Sequence, residues 1–172
     1  MIRNAETRDL DAIEAIYDAI HTQEESGAVT IGWIRGVYPV RQTAEAALSR
    51  GDLFAEEVDS AVVAAAVINQ TQVDCYRNAA WQYPAPDGEV MVLHTLTVHP
   101  DFAGRGYGKA FVSFYEQYAL SHGCRFLRMD TNARNARARQ LYASLGYREV
   151  GAVPCVFNGI PDVRLVCMEK RL

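Results

Sequence analysis

The chain has 172 residues, 49% of them hydrophobic and 22% charged, with a formal net charge of −4. This is the makeup of one ordinary globular unit, residues 1–172, with room for a sizeable core. The acidic balance speaks against a dedicated nucleic-acid binder, although Arg134, Arg137 and Arg139 form a local basic patch.

The start, MIRNAETRDLDAIE, has no apolar stretch of the signal-peptide kind. Ile2 to Ala5 suit a short first strand. Leu10, Ile13, Ile16, Tyr17 and Ile20 then recur at the helical period behind Thr7 or Asp9 as cap. Glycines and Pro39 break residues 21 to 42 into a long connection that is apolar for a linker. Thr43 is expected to cap a second helix that ends at Gly51. LFAEEVD and SAVVAAAVINQ read as a hairpin turning at Asp59-Ser60. Residues 71 to 88 form a second long connection. EVMVLHTLTVHP is nearly continuously apolar, as a strand covered on both faces would be. Gly106 to His122 reads as a helix with Phe111, Phe114 and Tyr118 on its inner stripe. FLRMDTN is a strand. Asn135 to Leu145 is a helix with Ala138, Leu141, Tyr142 and Leu145 inward, and YREVGAV and VRLVCMEKRL are closing strands. The alternation indicates a mixed sheet flanked by helices.

Cys75, Cys124, Cys155 and Cys167 are too scattered for a zinc site and read as small buried hydrophobes of a reducing compartment. No apolar run approaches the roughly 20 residues of a membrane helix. A cytoplasmic protein without metal or membrane partner is expected.

The segment from His99 to Lys109 joins a strand to a helix through a glycine-rich turn. Such a turn offers unpaired N–H groups and a positive dipole end to a phosphate. A Walker A loop fails here, because Ala103 stands at its first glycine and Ala110 at its Ser/Thr. A dinucleotide fingerprint fails as well, because Lys109 stands at its third glycine.

Ala103-Gly104-Arg105-Gly106-Tyr107-Gly108 fits the pattern Q/R-x-x-G-x-G/A at every place but the first. Downstream, Asn135-Ala136-Arg137-Ala138-Arg139-Gln140-Leu141-Tyr142-Ala143-Ser144-Leu145-Gly146-Tyr147 fits N-x-x-A-x-x-L-Y-x-x-x-G-[FY]. With these two blocks in register the chain resembles the GCN5-related N-acetyltransferases, the GNAT family, over nearly its whole length.

The resemblance implies an α+β fold. Its mixed, mostly antiparallel sheet of about seven strands splays between the fourth and fifth, with about four flanking helices. It implies acetyl-CoA in that wedge. The pyrophosphate would lie on the amides of Gly104, Arg105, Gly106, Tyr107, Gly108 and Lys109, and the pantetheine arm beside Leu96, Thr97 and Val98. Asn135, Ala138 and Tyr142 would close the other side. Ala103 departs from the family's Gln or Arg, and Arg105 is expected to supply the missing charge. Strand-paired or strand-exchanged dimers are common in the family, so a homodimer is one expectation.

Acetyl transfer to an amine needs a neutral amine, an oxyanion donor and a proton for the leaving thiolate. His94 lies in LHTLTVH, a stretch that resembles the arylalkylamine N-acetyltransferase branch. Two readings of it stand side by side, a base for the amine or a core histidine sharing the face of Val92 and Leu96. Glu89 is the runner-up base, with a solvated strand end as its plainer reading. On the resemblance, Tyr142 protonates the thiolate and the Val98 N–H receives the oxyanion. His21, His99 and His122 read as surface or capping groups. Asp130 and Arg128 share a strand face, and the sequence does not choose between pairing and substrate contact.

For the acceptor, the connections carry Glu24, Trp33, Tyr38, Trp81 and Tyr83, which suit a small cationic amine through cation–π and charge pairing. The expected function is acetyl-CoA-dependent N-acetylation of a small or amino-acid-like amine. A protein- or tRNA-directed enzyme and a non-catalytic acyl-CoA sensor are the alternatives.

Overall fold

A computed structural model describes residues 1–172. The strands are β1 (Ile2–Asn4), β2 (Leu53–Val58), β3 (Ala61–Asn69), β4 (Val90–Val98), β5 (Phe126–Asn132), β6 (Arg148–Phe157) and β7 (Ile160–Arg171). The helices are α1 (Leu10–Glu25), α2 (Arg41–Arg50), α3 (Tyr107–Ser121) and α4 (Ala136–Ser144). One seven-stranded sheet runs in the order β1-β2-β3-β4-β5-β7-β6. Only β4 and β5 are parallel; every other neighbouring pair is antiparallel. The splayed mixed sheet with four helices is thus the architecture present. No helix is long and apolar enough to cross a membrane.

Helices cover both faces. On one face, Phe111, Val112, Tyr115 and Ala119 of α3 pack on Phe54, Ile68, Met91 and Leu127. The expected stripe is rotated: Phe114 and Tyr118 are only half-buried and lean on Phe54, with ring centroids 5.4 and 5.0 Å away. On the other face, Ile13 and Tyr17 of α1 and Ala44 and Ala47 of α2 meet Ala55, Ala65 and Val67. Small residues on α2 and β3 let the helices lie close to the strands.

Local chemistry refines two element boundaries. Thr43 is not the cap of α2. Val40 is, and the Thr43 hydroxyl reaches back to accept its N–H at 3.1 Å. With the Thr43 N–H bonded to the Val40 carbonyl at 2.8 Å, that contact starts the helix two residues before Thr43. The first helix runs on through His21 to Glu25, and His21 is buried with Nε2 against the Pro39 carbonyl at 2.9 Å, not on the surface. The Asp59-Ser60 turn has positive φ at both residues (49° and 65°), the geometry that matches strand twist in a two-residue hairpin.

The connection 71–88 is fixed rather than loose. The Arg128 guanidinium on β5 lies 4.2 Å over the Trp81 ring and donates to the Tyr83 carbonyl at 3.2 Å. Its other arm donates to Gln72. The Glu169 carboxylate on β7 accepts the Gln82 N–H at 2.8 Å. Two buried, opposite charges therefore hold the connection against the sheet, each satisfied by the loop. Arg128→Ala should cost about 2 kcal/mol, lowering the thermal midpoint by roughly 4–8 °C in a scan. An unshifted midpoint would contradict this anchoring role.

Candidate active site

The site begins where two strands stop pairing. β4 and β5 are joined from Val90↔Phe126 to Leu93↔Met129, and no further. The Tyr115 hydroxyl holds the joined half, donating to the Met91 carbonyl at 2.6 Å and lying 3.1 Å from the Arg128 carbonyl. Just past Leu93, the pairing of β4 with β3 shifts from Val67↔His94 to Ala65↔Thr97. Three steps on β4 match two on β3, so β4 carries a bulge, and Thr95 takes positive φ (51°) within it. Such bulges bend a strand and re-aim its side chains. Here the bulge turns Leu96 and Val98 toward the core under α3, whereas Val67, the partner of His94, faces α1 and α2.

The parting leaves a cleft of ≈ 570 Å³ between β4, β5, the turn at 103–109 and the start of α4. The edge of β4 along this cleft is unpaired. His99 N–H bonds Val63 on β3 at 2.8 Å, so by strand alternation Val98, and Leu96 before it, direct backbone groups into the wedge.

The turn supplies the second element. None of the backbone N–H groups of residues 104 to 109 has an acceptor in the protein. Gly104 and Gly106 hold positive φ (79° and 91°), and a Cβ at either would meet nothing within 4 Å, so both face open space. Six successive free donors at the head of the 15-residue α3 make an anion cradle. Lys109, Arg134 and Arg137 line the same cleft without an ion pair. Across from the turn, Asn135 caps α4 by accepting the Ala138 N–H at 3.1 Å, which leaves its side-chain NH₂ free. These residues fit a long phosphate-bearing ligand whose chain lies along β4.

Tyr142 lies buried at the cleft floor with no hydrogen-bond partner for its hydroxyl. Burial, and then the charge of Asp130, push the phenol well above its usual range, so it stays protonated. The cleft is also lined by Trp33, Tyr38 and Phe157, whose rings meet edge to face. The Tyr38 hydroxyl bonds Thr95 on the bulge. Asp130 on β5 lines the cleft as well, its Oδ2 accepting from the Tyr76 hydroxyl at 2.7 Å.

Comparison with known proteins bears on this arrangement. Residues 13–147 match the model of the acetyltransferase (GNAT) family. The chain belongs to the GNAT acetyltransferases. An uncharacterised N-acetyltransferase of Methanocaldococcus jannaschii is 36% identical over 61 residues, which are 36% of this chain but 27% of that protein. A GNAT-family acetyltransferase structure from Streptococcus agalactiae is 21% identical, covering 100% of this chain and 95% of its own with a TM-score of 0.83. A structure from Salmonella typhimurium solved with its cofactor acetyl-CoA is 19% identical, covering 100% of this chain and 93% of its own with a TM-score of 0.70. At those identities the two structures share the fold.

Within this GNAT framework the expected residues separate into two groups. The cleft brings together Leu96, Thr97, Val98, Ala103, Gly104, Gly106, Tyr107, Gly108, Lys109, Asn135, Ala138, Tyr142, Trp33 and Tyr38. Thr97 contributes backbone, because its hydroxyl is spent on the Ala65 carbonyl at 3.1 Å. Arg105 brings only its amide; its guanidinium donates to the Asp101 carbonyl at 2.9 Å and sits over Phe102. The free basic side chains that line the cleft are those of Lys109, Arg134 and Arg137.

Four expectations are corrected. His94 does not line the cleft. It stands opposite Val67, with Nε2 3.0 Å from Asn69 Oδ1, and the Asn69 side chain in turn donates to Asp52. Burial pulls its imidazole down to about 4, so it is a neutral structural group tying β4 to the end of β3. Nor does it share a face with Leu96, because the bulge lies between them. Glu24 accepts the Ile31 and Gly32 N–H groups (2.5 and 3.0 Å) and shapes the loop instead of facing the acceptor. Trp81 and Tyr83 belong to the Arg128 anchor, outside the cleft. Glu89 is exposed at the paired end of β4, away from the wedge. The residues missed are Thr95 and Phe157, and of the two readings of Asp130 the structure keeps the cleft and not the pairing with Arg128, while Tyr76 of the 71–88 connection is its partner. The apolar flanks of Asp130 in FLRMDTN were the available signal, since a lone carboxylate in a central strand needs a reason to be there.

The depressed His94 value sets a pH dependence. The unfolded imidazole titrates near 6.5 and the folded one near 4, so the folded state binds fewer protons in between. Stability is therefore lost as pH falls from 6.5 toward 4. His94→Gln should gain on the wild type in thermal midpoint between pH 7 and pH 4.5. A difference that does not change with pH would contradict the buried neutral imidazole.

Proposed function

We propose that the protein is an acetyl-CoA-dependent N-acetyltransferase acting on the primary amine of a small molecule. The observation that carries this is the row of six free amides at residues 104–109, at the mouth of a wedge lined by an unpaired strand edge. Acetyl-CoA, when bound, supplies an activated acetyl thioester. The amides of 104–109 would take its pyrophosphate, and Lys109, Arg134 and Arg137 its remaining phosphate charge. The exposed edge at Leu96 and Val98 would pair with the amides of the pantetheine arm as an added strand does. The Asn135 NH₂ would hold the arm from the α4 side.

For the chemistry, the Val98 N–H is the donor offered to the oxyanion. The Tyr142 hydroxyl, held protonated and without a protein partner, is positioned to donate to the departing sulfur. The acceptor side supports a small amine over a peptide, because Trp33, Tyr38 and Phe157 close it with packed rings. The likeness of LHTLTVH to the arylalkylamine branch does not extend to mechanism, since His94 is engaged elsewhere.

Calorimetry with acetyl-CoA, followed by thiol detection of CoA release over an amine panel, tests the reading. Tyr142→Phe should lower kcat about tenfold or more with acetyl-CoA affinity retained. An unchanged kcat refutes the acid role, and acetyl-CoA binding without turnover on any amine refutes the enzyme.

A further inference from the structure

Asp130 is the sole carboxylate among the residues lining the cleft, and no cation of the protein pairs with it. Its Oδ2 is held by Tyr76; its Oδ1 has no hydrogen-bond partner. Arg128, two residues away on the same strand, is committed to Gln72, Tyr83 and Trp81. A carboxylate set this deep without a counter-ion is costly unless something cationic completes it. Asp130 lines the cleft together with Trp33, Tyr38 and Phe157, and its charge is felt by the phenols of Tyr38 and Tyr142. The cleft it lines carries Ile20, Ile31, Val163 and Leu165 beside the aromatic rings, with uncharged polar groups of Gln23, Thr30, Thr95, Thr131 and Asn132 and no second carboxylate.

Resting on the acetyl-transfer reading above, the geometry points to Asp130 as the group that receives the acceptor's ammonium and takes its proton, and to an acceptor that is a monocationic primary amine with an apolar body. The free cations of the cleft, Lys109, Arg134 and Arg137, belong to its phosphate end. A polyamine would bring further positive charges to a region with one carboxylate, and aromatic faces suit one ammonium on an apolar frame.

Asp130 Oδ1 removes one proton from R–NH₃⁺, leaving a neutral amine. The nitrogen lone pair forms the C–N bond to the acetyl carbon, and the C–S bond breaks with its pair on sulfur. The second proton lost from nitrogen restores the Tyr142 hydroxyl as that hydroxyl protonates sulfur. The proton on Asp130 then passes to solvent.

Burial, partly offset by the Tyr76 hydrogen bond, pushes Asp130 up to about 6. The titratable groups that face it are Tyr76 and Cys75 from the turn 74–78, Tyr38 from the 28–40 connection, Tyr142 from α4, Cys155 from β6 and Cys167 from β7. All of them are raised above their usual values and none is charged near pH 6. One acid limb near 6 is therefore expected in kcat/KM, followed by a plateau, because the enzyme takes the ammonium form directly.

The test uses wild type, Asp130→Asn and Tyr76→Phe with 2-phenylethylamine, n-butylamine, spermidine and leucine as acceptors. Asp130→Asn should keep acetyl-CoA affinity, which also reports folding. Its affinity for 2-phenylethylamine in the CoA complex should fall, and kcat/KM at pH 7.5 should drop about 10²-fold. The remaining rate should climb with pH toward the amine's own pKa, about 10. Tyr76→Phe should move the acid limb upward, since the lost hydrogen bond favoured the carboxylate. Retention of the limb and of amine affinity in Asp130→Asn, or an unmoved limb in Tyr76→Phe, overturns the assignment. Spermidine or leucine exceeding the monoamines overturns the acceptor class. A wild type that binds acetyl-CoA yet acetylates no amine overturns the acetyl-transfer reading, and this proposal with it.

Discussion

The site exists because β4 and β5 are made to separate. Parallel neighbours that pair over Val90–Leu93 would continue to pair if both strands kept their course. β4 carries a bulge at Thr95 where its pairing with β3 shifts, and past it the β5-side edge has no partner. Backbone groups in the interior demand partners, so the wedge is a ligand-shaped vacancy in the ladder. The Tyr115 hydroxyl, fixed against both strands at the closed end, sets where the opening starts.

Everything around the wedge is arranged from that point. The glycine turn follows β4 directly, so its six free amides stand at the wedge mouth. α4 follows β5 directly, so Asn135 and Tyr142 stand opposite. The connection 71–88 is bound down by Arg128 and Glu169, and this brings Tyr76 onto Asp130. The polar groups that anchor the loop and the polar group offered to the cleft thus occupy alternate positions of one strand, Arg128 and Asp130, with different partners.

The glycine turn and the N-x-x-A-x-x-L-Y block were legible because they are contiguous, and their spacing excludes rival phosphate loops. The strand and helix order was legible for the same reason, since periodicity is local. Orientation beyond a bulge was not. One extra residue reverses every later side chain, so His94 and Leu96, read as sharing a face, point opposite ways. Residues in long connections were equally opaque. Trp33 and Trp81 look alike in sequence, yet one walls the cleft and the other covers Arg128. Asp130 was visible as an oddity, but its partner Tyr76 lies 54 positions away and no local signal joins them.

The most direct measurement is a titration of ¹⁵N-labelled protein with coenzyme A, following backbone amide shifts and exchange. Amides 104–109 should shift and gain protection together with Leu96 and Val98, while those of 71–88 stay in place. Saturation with coenzyme A that leaves amides 104–109 unshifted and unprotected would contradict this.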